Sequence, residues 1–526
     1  MWYEIVVEMT NTRAEVDALH RSTKHGTQPD HPERLVRFRR LDPTNAPTPF
    51  KQYRDAETIP LPRHLVPSEA PATQILSGLS ERGAQLDLSL LATLLFLTGG
   101  VTRVTTGPRG QTFFRTAMSA GNLHPIEIYP VLAPGFDSIS EGVYHFAPKE
   151  FALRRLRRGD FRPVIGVHNS SALVITGIVW RTAWKYGERG WRHLYWDAGT
   201  MLANLLATAD AHGIDARVHV GFDDAAVSSL VGIDGVDEMP LALVTLGTEV
   251  GWPDPQPDTP PLSLEVPPVA REPIRLPMVV EAQRAGELDA DEVEGWLDSA
   301  AGVGPDVPST VDPPGSDRHG TIESVILKRG STRDMTHETI DAGKLNWPMS
   351  AATRAVPFDT ASHGSLLKHF VNIHDVEEVD PGAYRWSHDR LELIGAAEKI
   401  REKSALLCLN QPLGGDSAYT VFHCCRLDAL LDALGSRGYR AAQLEAGVVS
   451  GRLALCAFAV GLGATGLTFF DDHVSTFFQT QAAPMLVTSV GVPSAPPAPA
   501  GTPGDPAELG GYGDLMNRLM SRLQGR

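Results

Sequence analysis

Two short stretches carry residue types that could do chemistry. The first is Ser119-Ala120-Gly121-Asn122-Leu123-His124-Pro125. Ser119, Gly121 and Asn122 form turns readily, and Gly121 can take a positive φ at no steric cost. Such a loop can lay bare backbone amides and small hydroxyls against a flat polar ring; the plainer reading is an ordinary helix-to-strand turn. The second is Arg329-Gly-Ser-Thr-Arg333. Two guanidiniums can fork onto a dianion, with the Ser331 hydroxyl or a nearby helix N-terminus adding donors. The plainer reading there is a solvated helix end.

These groups need a frame. Ile126–Leu132 alternates and then runs apolar, which predicts a strand. Leu86–Thr98 predicts an apolar helix introduced by Asp87, and Trp191–His212 a long helix with Gly213 as its C-cap. Ala172–Trp180 and Leu241–Leu246 read as buried strands. At the start, Met1–Met9 reads as a strand, Ala14–His25 as a short helix, and the Pro- and Arg-rich residues after it as a wrapping arm. From Trp252 to Pro314 the composition turns proline-rich and acidic, as in a linker, and Glu281–Ala301 reads as one acidic helix within it. Pro493–Pro506 reads as a tether leading to an amphipathic helix at Leu515–Leu523. The expected organisation is an N-terminal arm over 1–80, a first domain over 81–251, a linker over 252–320, a second domain over 321–493, and a tether with its helix over 494–526.

A chain of 526 residues is too long for one core. Its net charge of −16 argues against a general nucleic-acid binder, which needs a basic face. No apolar run of about 18 residues predicts a membrane span, and the acidic start does not read as a signal peptide. Four cysteines without Cys-x-x-Cys spacing fit a reduced, cytoplasmic setting. The histidines show no metal-ligand spacing, so no metal site is expected.

The second half repeats landmarks of the first. Gly187-Glu-Arg-Gly-Trp-Arg192 meets Gly435-Ser-Arg-Gly-Tyr-Arg440, Asp197-Ala-Gly199 meets Glu445-Ala-Gly447, and Phe222-Asp-Asp224 meets Phe470-Asp-Asp472, all at one offset of 248. Gly213-Ile-Asp-Ala216 and Gly461-Leu-Gly-Ala464 share that offset. A fixed offset over ordered landmarks implies a tandem duplication, the internal equivalent of a homodimer.

Ser119-Ala-Gly-Asn-Leu-His-Pro125 resembles the Ser-x-x-Asn-x-Gln-Pro loop of the nitroreductase-like flavoproteins. Leu95–Arg103, Pro125-x-Glu127-x-Tyr129, Lys185-Tyr-Gly-Glu-Arg189 and Pro49-Phe-Lys-Gln-Tyr53 resemble the SagB/ThcOx branch, the azoline dehydrogenases of peptide natural-product pathways. The resemblance implies an α+β fold of two nitroreductase-like domains, each an antiparallel-rich sheet wrapped by helices, paired as a pseudo-dimer. It implies FMN between the halves, with Ser119, Ala120, Gly121, Asn122 and His124 on one side. Arg329, Ser331 and Arg333 would hold the phosphate, and Leu467, Thr468 and Phe469 would pass the flavin edge. The first half holds only Arg21-Ser-Thr-Lys24 as its phosphate motif, and the second half's Asp359–Ser365 departs from the loop pattern. One good site is therefore expected, with a weak mirror near Arg21, Lys24 and His363.

The same resemblance implies Lys185 and Tyr186 as the catalytic pair. A lysine depressed by burial or by a neighbouring cation such as Arg189 can take a proton, and Tyr186 can relay one or hold substrate. The implied substrate is a modified precursor peptide, and the implied partners are cyclodehydratase components. A generic NAD(P)H-fed nitro- or ene-reductase, or a non-catalytic flavin- or peptide-binding partner, are the alternatives. Gly461-Leu-Gly-Ala-Thr-Gly466 fits a dinucleotide fingerprint by letter, but it closes a helix and opens a strand, the reverse of what that fingerprint needs.

Overall fold

The computed structural model describes residues 13–26, 41–108, 110–249, 257–315, 320–360, 364–396 and 398–510. The expectations for Met1–Met9, Leu515–Leu523 and His363 lie outside the described residues. In the first half the strands are β1 (Thr58–Pro60), β2 (Val101–Gly107), β3 (Gly110–Arg115), β4 (Ile126–Leu132), β5 (Gly142–Ala147), β6 (Ala152–Arg158), β7 (Asn169–Ile178), β8 (Ala216–His219) and β9 (Glu238–Glu249). The second half adds β10 (Lys368–Ile373), β11 (Gly382–Ser387), β12 (Arg390–Ala396), β13 (Tyr419–Cys425), β14 (Gly463–Leu467), β15 (Ala483–Gly491) and β16 (Ala507–Glu508).

The first sheet runs β1-β6-β5-β4-β7-β9-β8 and the second β12-β11-β10-β13-β15-β14. Strand for strand, the second is the first without its edge strand β1. This is the duplication in three dimensions, and it gives an α+β fold of two nitroreductase-like domains. β4 is buried along its whole length because helices cover it, which is why its pattern is nearly continuous apolar sequence. β2 and β3 form a small separate sheet, to which β16 adds in parallel. The C-terminal tether therefore packs on the first half, where Arg103 donates to the carbonyls of Ala498 and Pro499.

The halves meet through two long helices, Gly190–Ala211 and Leu427–Ala459. They cross at Gly199 and Gly447, the pair flagged by the repeat. A Cβ on Gly199 would stand 2.4 Å from the Leu444 carbonyl oxygen, and one on Gly447 2.6 Å from that of Trp196. Only glycine permits so close a backbone approach.

Arginines flank this crossing reciprocally. Arg189 and Arg192 of the first half reach Asp471 of the second, at 3.0 and 2.8 Å. Arg437 and Arg440 of the second half reach Asp224 of the first. All six groups are buried, where a charge is tolerated only when paired and hydrogen-bonded. Backbone carbonyls take up further donors: Arg189 donates to the Thr23 carbonyl, Arg192 to that of His20, and Arg437 and Arg440 both to that of Gly286. Burial pushes the Asp471 carboxyl up, but the two guanidiniums outweigh it and hold it well below the usual carboxylate range.

Gly286 also explains a correction. The single acidic helix expected over Glu281–Ala301 is two helices, Pro277–Arg284 and Ala290–Ala300. The chain breaks between them so that the Gly286 carbonyl can face the arginines, and Asp289 restarts the helix with a capping box to Glu292. This segment is fastened down: Gln283 accepts from Trp191 and Tyr195, and Trp296 donates to the Leu434 carbonyl. The linker-like composition did not reveal these buried anchors.

Gly199→Ala and Gly447→Ala each force a methyl group into fixed backbone and should cost about 1–3 kcal/mol. Gly295→Ala, on a helix with open space around its Cβ position, should not destabilise. Thermal unfolding of the three variants checks this; equal midpoints would contradict the tight crossing.

Candidate active site

The Ser119–Pro125 loop is held in an uncommon backbone shape. Gly121, Asn122 and His124 have φ of 66°, 58° and 45°. Non-glycine residues rarely adopt this region unless their surroundings impose it. The constraint comes from Asp197, on the central helix Gly190–Ala211. Its carboxylate accepts from the Ser119 hydroxyl at 2.5 Å and the Ala120 amide at 3.0 Å, and the His124 amide donates to the Ser119 oxygen at 2.8 Å. Asn122 donates to the Phe113 carbonyl, and its side-chain oxygen pairs with the His124 ring. Burial pushes the Asp197 carboxyl up to about 7, against the pull of its two donors.

The second half repeats this anchor without the loop. The Ser365 hydroxyl donates to Glu445 at 2.5 Å and the Leu366 amide at 3.0 Å, and burial lifts Glu445 to about 7 as well. Ser365 is thus the counterpart of Ser119, which corrects the broader match to Asp359–Ser365. From Ser365 the chain enters β10 almost at once, so the Gly-Asn-Leu-His turn has no equivalent. Asp359 instead caps the amides of Val220 and Gly221.

Lys185 and Tyr186 form the last turn of the helix Val179–Tyr186. Gly187, with φ 58°, ends it, and Gly435, at the equivalent place with the same φ, kinks the helix Leu427–Ala459. Arg181, one turn earlier, pairs with buried Glu127 and donates to the His124 carbonyl, tying this helix to the loop. Tyr186 stacks on His193 with ring centroids 4.2 Å apart. A Cβ on Gly121 would lie 2.7 Å from the Tyr186 Oη and 3.0 Å from the Lys185 Nζ. The two motifs, far apart in sequence, therefore touch. Burial lowers the Lys185 ammonium below its ordinary value, and the second-half Arg333 adds to it. The cation expected there, Arg189, is instead locked to Asp471. Burial and Asp197 push the Tyr186 hydroxyl up.

Two adjoining cavities share Ser119, Ser331 and Arg333. One, of about 350 Å³, is lined by Ala120, Gly121, Lys185, Tyr186, Leu467 and Thr468. The other, of about 400 Å³, is lined by Asn122, Arg103, Arg115, Lys328 and Arg329. Both lie between the halves, where the loop of one meets the arginine motif of the other. His124 and Phe469 line neither cavity: His124 is buried against Asn122, and Phe469 packs beneath Arg189 and Trp196.

Arg329 is 4% exposed, not a solvated helix end. It donates to the Thr116 carbonyl, its Nε has no partner among the described residues, and burial lowers it to about 10. The motif follows the C-terminal end of the helix Ile322–Lys328, so that helix supplies no N-terminal dipole. Any anion there rests on side chains. At the mirror position Arg21 is exposed beside Asp17, and Lys24 pairs with Asp472. Sequence reasoning missed Asp197, His193 and Gln411 as cavity residues. Asp197 alone carried a signal, its place in the repeat.

A further cavity of about 380 Å³ lies behind the Lys185 helix, floored by the Lys51–Glu238 ion pair and walled by prolines and aliphatic residues. Phe50, Lys51 and Gln52 line it together with residues 178–181.

Residues 91–248 match the nitroreductase family. The microcin B17-processing protein McbC of Escherichia coli is 30% identical over 144 residues, which cover 24% of this chain and 52% of McbC. A Methanocaldococcus jannaschii protein named as a nitroreductase is 24% identical over 180 residues, 32% of this chain and 90% of its own. A nitroreductase-type crystal structure from Anabaena variabilis superposes with a TM-score of 0.69 at 22% identity, covering 91% of this chain and 99% of that one. Residues 91–248 therefore carry the sequence signature of the nitroreductase family, within a chain whose two halves share its fold.

Proposed function

We propose that the protein is an FMN-dependent oxidoreductase that converts azoline rings in a modified peptide to azoles. The observation that carries this reading is the contact of Gly121 with Lys185 and Tyr186 in a cavity closed by Ser331 and Arg333 of the other half. The likeness to McbC, a microcin B17-processing protein, supports the substrate class.

The residues present fit FMN. The arginine-lined cavity offers Arg329, with its buried unpartnered Nε, together with Ser331 and Arg333, to a phosphate. The adjoining cavity offers the Ala120–Gly121 backbone and the buried Thr468 hydroxyl, which has no partner among the described residues, to a polar ring. FMN bound there would accept the hydride that leaves the azoline ring carbon. The chain supplies the base: Lys185 Nζ, held deprotonated more readily by burial and Arg333, takes the second hydrogen as a proton. The ring thus loses two hydrogens and two electrons and becomes aromatic. Tyr186, fixed by the His193 stack, stays protonated and orients the substrate through its hydroxyl. Asp197 fixes the loop that fits against the cofactor ring. Cyclodehydratase components are the proposed partners, since they make the azoline this site would consume.

Arg333→Ala should weaken FMN binding ten- to hundredfold, or about 1.5–3 kcal/mol, while Arg21→Ala should leave it unchanged. Fluorescence titration of flavin-stripped protein checks this, and equal losses would refute the one-sided phosphate assignment.

Lys185→Ala should keep fold and flavin yet lose about 10²–10⁴-fold in turnover. The assay is the two-dalton mass decrease per ring in an azoline peptide. In the unaltered protein, activity should fall as pH drops and Lys185 gains its proton, with a midpoint below the ordinary lysine value because burial and Arg333 favour the neutral amine. Full activity of Lys185→Ala would remove this base and leave a generic reductase as the better reading.

A further inference from the structure

The connection between the outer strands and the sheet centre differs between the halves. In the first it is residues 159–168, with one short helical turn. In the second it is longer and holds two helices, Ile400–Leu407 and Leu413–Asp416. Between them Leu409 and Asn410 have φ of 60° and 57°, two successive non-glycine residues in the left-handed region. Backbone of this kind persists only where the surroundings impose it. Here it delivers the Gln411 side chain to the cavity that holds Lys185 and Tyr186.

The Gln411 carboxamide has only one consistent orientation. Its nitrogen lies 2.8 Å from the Cys408 carbonyl and 3.3 Å from the Thr468 carbonyl. Both are acceptors, so the NH₂ group must face them and use both its protons. The carboxamide oxygen accepts no hydrogen bond from any described residue, and Gln411 is among the residues that line the cavity. We infer that Gln411 is a substrate-specificity residue whose oxygen accepts the N–H of the peptide bond flanking the azoline ring.

The same connection supports a peptide rather than the cofactor as the donor. Leu406, one turn before Gln411, is among the few large apolar side chains left exposed, at 46%, and Asn410 is exposed beside it. A peptide has to reach the cavity from solvent, and the connection that carries Gln411 faces solvent at these two residues, whereas the 119–121 loop lines the same cavity from the other half. A backbone N–H occurs at every flanking residue, so one fixed acceptor suits a peptide of varied sequence. The inference rests on the azoline-peptide reading above and deepens it.

The test uses the full-length, flavin-loaded protein and two azoline peptides, one with its flanking amide intact and one with that amide replaced by an ester. With the intact peptide, Gln411→Leu should raise KM about tenfold while kcat and flavin content hold. The ester peptide should show a similar rise with the unaltered protein and no further rise with Gln411→Leu, since the same hydrogen bond is already absent. Additive losses, or an unchanged KM with the amide peptide, would overturn the inference. Loss of flavin from Gln411→Leu without a KM change would assign the residue to the cofactor and overturn it equally. If the unaltered protein oxidises neither peptide, the parent reading falls and takes this inference with it.

Discussion

The structure depends on a reciprocal exchange of buried charge. Arg189 and Arg192 cross to Asp471, and Arg437 and Arg440 cross back to Asp224. None of these groups is tolerable in the interior alone. Each half therefore completes the electrostatics of the other. The glycine crossing at Gly199 and Gly447 sets the distance, and the arginine pairs set the rotation. Together they fix where the loop of one half faces the arginine motif of the other.

This geometry turns divergence into function. A symmetric pair would present two equivalent sites, but the duplicated halves were free to change separately. Both retain the serine-carboxylate anchor, Ser119 with Asp197 and Ser365 with Glu445. Only the first keeps the Gly-Asn-Leu-His turn and the Lys185-Tyr186 pair. Only the second carries Arg329 and Arg333 at the cavity edge, and only its connection projects Gln411. Both halves retain the anchor, whereas the groups proposed to do chemistry converge on one cavity.

Much of this was legible in the sequence, because it was carried by local or repeated patterns. The constant offset disclosed the duplication and pointed to the glycines and arginines before their contacts were known. The apolar runs at β4, β7 and β9 and the long helix beginning near Trp191 read correctly, since continuous burial leaves a continuous apolar trace. What stayed hidden was long-range. Nothing in Glu281–Ala301 announces that the Gly286 carbonyl must meet two arginines, so the break there was not visible. Arg189 stands near Lys185 in sequence, yet a charge on the opposite half claims it and Arg333 takes its place. Gln411 lies on a connection with no motif, and its orientation follows only from two carbonyls brought together by folding.

The central claim is one composite cofactor site per chain, built from unlike contributions of like halves. The direct measurement is the flavin released from the purified, native protein, identified by mass and counted against protein and phosphate. One FMN per chain is the predicted result. Two equivalents per chain, or FAD in place of FMN, would contradict the composite site and the reading built on it.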